Sequence, residues 1–408
     1  MFRLSKFIDE IIDPKPLGPV RKPSGPVVIW NLIRRCNLTC KHCYSISTDK
    51  DFPGELSTNE VFDVMDDLKS FGVPVLILSG GEPLLRPDIF EISKRAKKMG
   101  FYVGLSTNGT LIDEDMIKRI AEIGYDYVGI SIDGIKETHD KFRRREGAFD
   151  LSMHGIRLCI NEGIKVGIRF TMTQDNVHEL DDLLKLMDDE GIDKFYLSHL
   201  NYAGRGNHNR KDDAVHAMTR TAMEKLFVHC MEDRKKGSTK EFVTGNNDAD
   251  GPFLLKWVEK NYPESTDHVT ELLKRWGGNA SGVNVANIDN TGHVHPDTMW
   301  WHYDLGSVHD RPFSEIWMDT SDPLMAGLKQ IPRQVTGRCG ECNFFEICNG
   351  NTRTRAHQVS GNFWDEDPGC YLVDEEIGLS GTRERLAVSS YSRGTTRKDS
   401  AKDSAKVV

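Results

Sequence analysis

Short apolar runs alternate with amphipathic stretches along the first half of the chain. Six of these runs read as strands, at residues 27–32, 75–78, 101–106, 127–132, 164–170 and 195–198. The stretches between them carry apolar residues at helical spacing, and Ser57-x-x-Glu60 predicts a capped helix start. Strands that alternate with helices favour a parallel sheet with right-handed crossovers. The pattern predicts an α/β fold with a curled, barrel-like sheet and ligands at the carboxyl ends of its strands.

The pattern changes on both sides of this repeat and predicts five regions. They are an irregular arm rich in proline at 1–25, the strand–helix repeat at 26–205, a helical bridging region at 206–284, a loop-rich region at 285–378 and a tail at 379–408. The tail consists mostly of Ser, Thr, Arg and Lys, and we expect it to be disordered because it offers few apolar groups to bury.

Three thiols lie within eight residues directly after the first predicted strand. They are spaced Cys36-x3-Cys40-x2-Cys43, which leaves one metal position without a nearby protein ligand. A cubane iron–sulfur cluster on three cysteines keeps one iron open for an outside ligand, and this spacing suits it. A zinc site completed by His42 or by a distant residue is the alternative interpretation.

Polar loops also follow the next three predicted strands. Gly80-Gly81-Glu82-Pro83 follows the second strand, where two glycines allow close backbone approach to a ligand and the Glu82 carboxylate is a potential acceptor for an ammonium group. Residues 106–109 and 131–134 follow the third and fourth strands. Because the carboxyl ends of parallel strands share one edge, these loops predict a single site.

A second set of thiols lies in the loop-rich region, at Cys339, Cys342, Cys348 and Cys370. Four thiolates suit either a structural zinc ion or an iron–sulfur cluster. The remaining two of the nine cysteines, Cys159 and Cys230, lie in helix-like stretches, and we interpret them as buried apolar residues. Seven grouped thiols in a reducing compartment indicate iron–sulfur chemistry.

The composition of the chain argues against some classes of binding partner. The 53 basic and 62 acidic residues give a formal charge of −9, and no basic block is interleaved with aromatic residues, so we expect no nucleic-acid partner. No apolar run approaches the ~20 residues of a membrane span. The first residues lack the apolar core of a signal peptide, and we expect a cytoplasmic protein.

The three-cysteine loop and the Gly80-Gly81-Glu82-Pro83 strand end resemble the radical S-adenosylmethionine (radical SAM) superfamily. The resemblance implies a partial (β/α)6 TIM-like barrel. It also implies a [4Fe–4S] cluster on Cys36, Cys40 and Cys43, with the amino and carboxyl groups of SAM on the open iron. Such a cluster cleaves SAM to a 5′-deoxyadenosyl radical, and no residue is assigned as a general acid or base.

The resemblance also implies residues that bind SAM. The expected set is Gly80, Gly81, Glu82 and Pro83 for the amino group, Ser106 and Asn108 for the ribose, and Ser131, Asp133 and Arg143 for the ribose or carboxylate. Arg144 and Arg169 are further candidates for the carboxylate. A turn stabilised by its own side chains is the alternative interpretation of Ser131 and Asp133.

The spacing Cys339-x2-Cys342-x5-Cys348 resembles the SPASM/twitch extension of radical SAM enzymes, which carries auxiliary [4Fe–4S] clusters. A turn that holds a further cysteine in the full pattern has Asp297 at that position. This departure implies one auxiliary cluster, with Cys370 as its fourth ligand. His293 and His295 are either ligands to iron or substrate, or polar residues of a surface turn.

Several long segments of the chain resemble the radical SAM enzymes of haem d1 biosynthesis. The likeness runs from about residue 2 to residue 378 and includes residues 27–32, 198–206, 245–251, 276–282 and 295–302. The implied substrate is the iron tetrapyrrole didecarboxysirohaem, whose two propionates are removed on the way to oxo groups. A flavodoxin or ferredoxin is the expected electron donor, and the oligomeric state is not predicted.

Two groups of residues are candidates for contact with such a substrate. The candidates for its carboxylates are His199, Asn201, Arg205 and Arg210, and those for stacking or iron ligation are Trp300, Trp301, His302 and Tyr303. Packing within the C-terminal region is the alternative for the aromatic group. The alternative functions are another SPASM-type enzyme, such as a haem-synthesis decarboxylase or peptide modifier, and a non-catalytic iron–sulfur electron carrier.

Overall fold

One nine-stranded sheet organises residues 1–19 and 25–379, which are the residues described by the computed structural model. Its strands are β1 Val27–Asn31, β2 Val75–Ser79, β3 Tyr102–Thr107, β4 Tyr127–Ser131, β5 Val166–Met172, β6 Lys194–His199, β7 Glu241–Gly245, β8 Val285–Ile288 and β9 Val294–His295. Their order is β7-β6-β5-β4-β3-β2-β1-β8-β9. All neighbours pair in parallel except β8 and β9, which are antiparallel.

Helices connect and cover the strands. They are α1 Leu4–Ile12, α2 Thr58–Ser70, α3 Ile89–Lys98, α4 Glu114–Ile123, α5 Glu137–Arg143, α6 Ala148–Asn161, α7 Leu180–Asp189, α8 Gly204–His208, α9 His216–Lys235, α10 Asp250–Asn261, α11 Thr266–Trp276, α12 Phe313–Met318, α13 Pro323–Lys329, α14 Gly337–Gly340, α15 Phe345–Cys348 and α16 Arg353–Ser360. Short 3₁₀ turns lie at Pro83–Leu85, Val177–Glu179, Arg210–Asp212, Pro263–Ser265 and Glu375–Ile377. None of the helices in the described residues has the length and apolar character of a membrane span.

The predicted α/β fold and its six strands are confirmed, and β1–β6 begin and end within two residues of the predicted runs. The capping box is present as well, because Ser57 N donates to Glu60 Oε2 at 2.7 Å and Glu60 N donates to Ser57 Oγ at 3.4 Å. The sheet is mostly parallel and is not closed.

Three strands were not predicted. Strand β7 extends the sheet beyond β6 within the stretch interpreted as helical, and β8 and β9 extend it beyond β1 within the stretch interpreted as loops. Strands β8 and β9 have only four and two residues, so they leave little alternating pattern to read. As a result, the loop-rich region shares a sheet with the barrel.

The prediction of an irregular arm is wrong for residues 4–12, which form helix α1. Leu4, Phe7, Ile8 and Ile11 lie on one face of this helix and are buried. That face packs against α9 and β7, and burial of a stripe with helical spacing outweighs the nearby prolines, the first of which is Pro14. The predicted tail lies outside the described residues from residue 380 onwards.

The two faces of the curled sheet have different neighbours. Val128, Ile168 and Phe195 are fully buried in the main apolar core, which includes residues of the covering helices. The alternate residues of the same strands, among them Ser131 and Arg169, therefore face the concave side. Their strands end at the same rim as the cysteine loop, so the concave side leads to the predicted site.

Glu241 lies between two lysines at the amino-terminal ends of β5–β7. Its carboxylate is 2.6 Å from Lys165 Nζ and 3.1 Å from Lys194 Nζ. Burial alone raises the pKa of Glu241, but the two lysines outweigh burial and lower this pKa to about 2. A folded-state pKa below the ordinary value stabilises the fold above pH 4.5, and this stabilisation is lost as the pH falls towards 2.

We expect Glu241→Gln to lower the free energy of unfolding at pH 7. The difference in unfolding free energy between wild type and variant should shrink as the pH is lowered from 4.5 towards 2. At low pH the wild-type carboxylate is protonated, so it lacks the negative charge that the variant also lacks. Urea unfolding of the apoprotein, followed by circular dichroism, measures it. Exposed Glu264→Gln is the matched control, and a difference that stays constant with pH would contradict the assignment.

Candidate iron–sulfur and cofactor site

Each of the three thiols that follow β1 lies near a hydrogen-bond donor, two of them from other segments and one from the same loop. The pairs are Asn108 Nδ2 at 3.9 Å from Cys36 Sγ, Arg143 Nη1 at 3.5 Å from Cys40 Sγ, and Ser47 N at 3.4 Å from Cys43 Sγ. Burial raises the pKa of Cys40, and the Arg143 cation opposes this effect. Donors directed at all three sulfurs stabilise negative charge on them, so the loop fits an iron–sulfur cluster.

The His42 side chain packs against the ring of Phe142. Its ring centroid lies 4.7 Å from that of Phe142, and burial lowers its pKa well below the ordinary range. Among the described residues, no group of three or more His, Cys, Asp or Glu side chains is placed to hold a single metal ion. The zinc alternative that uses His42 therefore has no support in the geometry.

Gly80 and Gly81 allow the end of β2 to pack directly on the start of the cysteine loop. A Cβ on Gly80 would lie 2.4 Å from Ile33 O, and one on Gly81 would lie 2.2 Å from Arg35 O. Because no Cβ is present, the two backbone segments form hydrogen bonds: Gly81 N donates to Ile33 O at 2.5 Å, and Glu82 N donates to Arg35 O at 2.9 Å. Glycine is thus required here for close approach between two backbone segments.

Glu82 is a structural residue in this arrangement. Its fully buried carboxylate accepts from Leu84 N at 3.1 Å, Thr107 Oγ1 at 2.7 Å and Asn108 N at 2.8 Å. Burial raises the pKa of Glu82, and the bond from Asn108 N opposes the rise. Its oxygens tie β2 to the end of β3, and contact of this carboxylate with an ammonium group stays a prediction. Pro83 begins the 3₁₀ turn that follows.

The other predicted SAM residues divide into two kinds. Ser106 and Ser131 are partly buried on the concave face. Asn108 is buried and donates to Asn37 Oδ1 at 2.8 Å, and Asp133 is fully buried beside Arg143 and accepts from Thr171 N at 2.7 Å. Asp133 therefore joins the end of β4 to β5 and to Arg143, and its contact with SAM stays a prediction.

The four predicted donors for substrate carboxylates have partners within the protein. Arg205 donates to Cys40 O at 2.7 Å and Ser47 O at 3.0 Å, and His199 lies 3.0 Å from Asp250. Asn201 accepts from the next backbone N–H, and Arg210 donates to Gln358 O. Contact of all four with substrate carboxylates stays a prediction. Arg205 of helix α8 holds the cysteine loop through the backbone carbonyls of Cys40 and Ser47.

The four aromatic candidates differ in their burial and in their partners. Trp300 is fully buried and Tyr303 donates to Asp322, so these two pack as the alternative interpretation states. Trp301 is partly buried, and its ring centroid lies 6.0 Å from that of Tyr44, directly after the cysteine loop. His302 is exposed, with its Nε2 3.2 Å from His357 Nδ1. Trp301 is therefore the candidate in contact with the residue that follows Cys43.

Tyr44 was not singled out from the sequence. Asn31 Nδ2, at the end of β1, donates to its hydroxyl at 2.8 Å. This bond places the ring at the rim beside the loop. Its position directly after Cys43 was the one available signal, because any side chain there must lie close to the third thiol.

The four C-terminal thiols line one small cavity. The set comprises Cys339, Cys342, Cys348 and Cys370, and Arg338 and Asn351 also line the cavity. Phe344 N donates to Cys342 Sγ at 3.3 Å. The geometry brings Cys370 to the other three, and this donor set suits a fully ligated cluster.

The other candidates of this region have internal partners. His293 bonds to Asp304 at 2.7 Å, and His295 bonds to Tyr303 O at 2.7 Å. Asp297 accepts from Ser281 Oγ and from Met299 N. None of the three lines the cavity of the four thiols.

Comparison with known proteins agrees with this geometry. The model of the Radical SAM superfamily matches residues 30–187. The chain is 52% identical to the Pre-heme d1 synthase of Dinoroseobacter shibae over 96% of this chain and 97% of that protein. It is 45% identical to the Fe-coproporphyrin III synthase of Methanosarcina barkeri over 90% and 92%. Streptococcus suis SuiB bound to S-adenosylmethionine is similar in fold, with a TM-score of 0.67 at 17% identity over 86% of this chain and 78% of that one.

We expect Gly81→Ala to reduce the iron content of the reconstituted protein by up to about four atoms per chain. The added methyl group would lie 2.2 Å from Arg35 O and would displace the start of the cysteine loop. Iron and protein assays after anaerobic reconstitution measure it. Gly18→Ala is the control because a Cβ there meets nothing within 4 Å. Equal iron in both variants would contradict the account.

Proposed function

Because the chain belongs to the radical SAM superfamily, we propose that it is an enzyme of haem d1 biosynthesis that acts on the propionates of didecarboxysirohaem. The observation that carries this proposal is 52% identity to the Pre-heme d1 synthase over 96% of the chain. An identity spread over nearly the whole length covers the C-terminal region as well as the barrel, and that region distinguishes members that share the barrel.

Cys36, Cys40 and Cys43 would hold the [4Fe–4S] cluster that, with SAM on its open iron, supplies a 5′-deoxyadenosyl radical. The backbone of Gly80 and Gly81 is the proposed acceptor for the SAM ammonium group, since the Glu82 carboxylate is engaged elsewhere. Ser106 and Ser131 are the proposed polar contacts on the concave face. Asn108, Asp133 and Pro83 act indirectly, through the loops that they hold in place.

The four C-terminal thiols would hold one auxiliary [4Fe–4S] cluster. Four cysteines fill all its protein positions, so a role in electron transfer is favoured over direct ligation of the substrate. Asp297 stands where a further cysteine is expected and has its own partners, which supports one auxiliary cluster rather than two. A flavodoxin or ferredoxin is the proposed electron donor.

The protein's own residues would bind and orient the substrate rather than exchange protons with it. Abstraction of hydrogen from a propionate carbon by the radical that these cofactors supply would need no general acid or base from the protein. It does need exclusion of bulk water and a fixed distance between that carbon and SAM. Trp301, beside Tyr44 and the cysteine loop, is the proposed aromatic contact for the flat macrocycle.

A second candidate is a radical SAM enzyme that acts on another iron tetrapyrrole. The 45% identity to the Fe-coproporphyrin III synthase over 90% of the chain favours it. The two candidates share the cofactors and the substrate class and differ in which acid side chains react.

Anaerobic incubation with reductant, SAM and didecarboxysirohaem, followed by mass spectrometry, tests the proposal. We expect 5′-deoxyadenosine together with a tetrapyrrole that has lost propionate mass. Absence of 5′-deoxyadenosine would contradict a catalytic role and favour an electron carrier. If didecarboxysirohaem is unchanged while Fe-coproporphyrin III is converted, the second candidate is correct.

We expect Cys370→Ala to lower the iron content from about eight to about four atoms per chain, because the auxiliary cluster loses a ligand. Cys159→Ala is the control: this thiol is fully buried in α6 and does not line the cavity of the four thiols. Iron analysis and the charge-transfer absorption of the reconstituted proteins measure the loss. Unchanged iron in Cys370→Ala would show that this residue is not a ligand.

A further inference from the structure

Arg169 lies inside the barrel, level with residues of the proposed cofactor surface. It pairs in register with Ser131 of β4 on one side and with Tyr196 of β6 on the other. Neighbouring residues in register share a face of the sheet, so all three side chains point to the concave side. Its guanidinium carbon lies 5.0 Å from the centre of the Tyr196 ring.

Glycines on adjacent strands leave the room that this side chain occupies. A Cβ on Gly129 would lie 2.9 Å from Arg169 Cδ, and a Cβ on Gly167 would lie 2.6 Å from the Tyr127 hydroxyl. Larger residues at either position would therefore displace Arg169 or Tyr127. The two glycines therefore leave space for the side chains of Arg169 and Tyr127 on the concave face of the sheet.

The Arg169 cation has no acidic partner among the described residues. Its aromatic contact is Tyr196, whereas Arg143, the other arginine near the site, is paired with Asp133. Burial raises the pKa of Tyr127 and Tyr196, so these two phenols remain neutral at pH 7 although the Arg169 cation opposes the rise. A guanidinium in a partly buried position without a counter-ion favours an anionic ligand.

We propose that Arg169 binds a carboxylate of the bound ligand inside the barrel, and that this carboxylate belongs to the reacting propionate of the tetrapyrrole. The assignment to the substrate rests on the proposed function. SAM is the other source of a carboxylate, and its carboxylate must lie at the cluster. Arg143 contacts Cys40 Sγ, whereas the guanidinium of Arg169 lies over the ring of Tyr196 on β6, two strands beyond β4. Arg169 is therefore placed for a ligand beyond SAM.

This anchor would select which part of a large substrate enters the barrel. A planar guanidinium holds a carboxylate through two parallel hydrogen bonds, which fix its direction as well as its position. The carbons of the same propionate are then held at a set depth below the rim. Other acid groups of the macrocycle would remain outside, where they do not meet the radical.

Binding to the reconstituted holoenzyme tests this role without turnover. Didecarboxysirohaem binding is followed by absorbance titration, and SAM binding by equilibrium dialysis. We expect Arg169→Gln to weaken tetrapyrrole binding roughly 10- to 100-fold and to leave SAM binding within about twofold. Arg119→Gln is the matched control, because Arg119 also lies over an aromatic ring, 4.0 Å from the centre of Phe90, but on the exposed surface of α4.

The methyl ester of the same tetrapyrrole identifies the group that Arg169 recognises. The wild type should bind the ester as weakly as Arg169→Gln binds the acid, and the variant should lose nothing further with the ester. Weaker SAM binding with unchanged tetrapyrrole binding would assign Arg169 to SAM and overturn the proposal. The proposal would also be overturned if Arg169→Gln lowered the affinity for the ester as much as the affinity for the acid.

Failure of the proposed function gives a different result. If the wild type does not bind didecarboxysirohaem but binds Fe-coproporphyrin III, the same comparison with that acid and its ester decides the role of Arg169. The Arg169→Lys variant keeps the charge and should recover part of the affinity. Its failure to do so, with normal iron content and SAM binding, would contradict a carboxylate contact.

Discussion

The close packing of Gly80 and Gly81 against residues 33–35 is the contact on which the site depends. It joins the end of β2 to the start of the cysteine loop through backbone hydrogen bonds, at a distance that excludes any Cβ. Glu82 then ties this corner to the end of β3 through a buried carboxylate. Three neighbouring strand ends are thereby fixed relative to one another before any cofactor binds.

Further elements hold the same loop from the other side. Arg205 of α8 binds two loop carbonyls, and Arg143 links Cys40 to the buried Asp133. Most polar groups near the thiols are thus occupied by contacts that build the rim. The groups left for ligands are those on the concave face, where Arg169 is a cation without an acidic partner among the described residues.

The sheet also connects the two thiol sets. The C-terminal thiols share their cavity with Ala249 and Pro252, which lie at the start of α10, just after β7. Strands β8 and β9 lead from β1 into the C-terminal region. The first thiol set follows β1, so both sets lie at ends of strands in one continuous sheet.

The sequence predicted the parts of the molecule that depend on local pattern. Apolar runs located β1–β6, and the spacing of the thiols located both sets, because these signals are written in consecutive residues. It did not predict β7–β9, whose pairing partners lie far away in the chain, nor α1, whose apolar face was obscured by the prolines after it. It also placed Arg205 correctly after a strand but assigned it to a substrate, because sequence does not tell which carbonyls a side chain meets.

The central claim is that one cluster has an open iron for SAM while the other is fully ligated. Electron paramagnetic resonance of the reduced, reconstituted protein tests it most directly, with and without SAM. The account predicts two [4Fe–4S] signals, of which SAM changes one and leaves the other unaltered. Two signals that are both unchanged by SAM, or a single cluster in the fully reconstituted protein, would contradict the account.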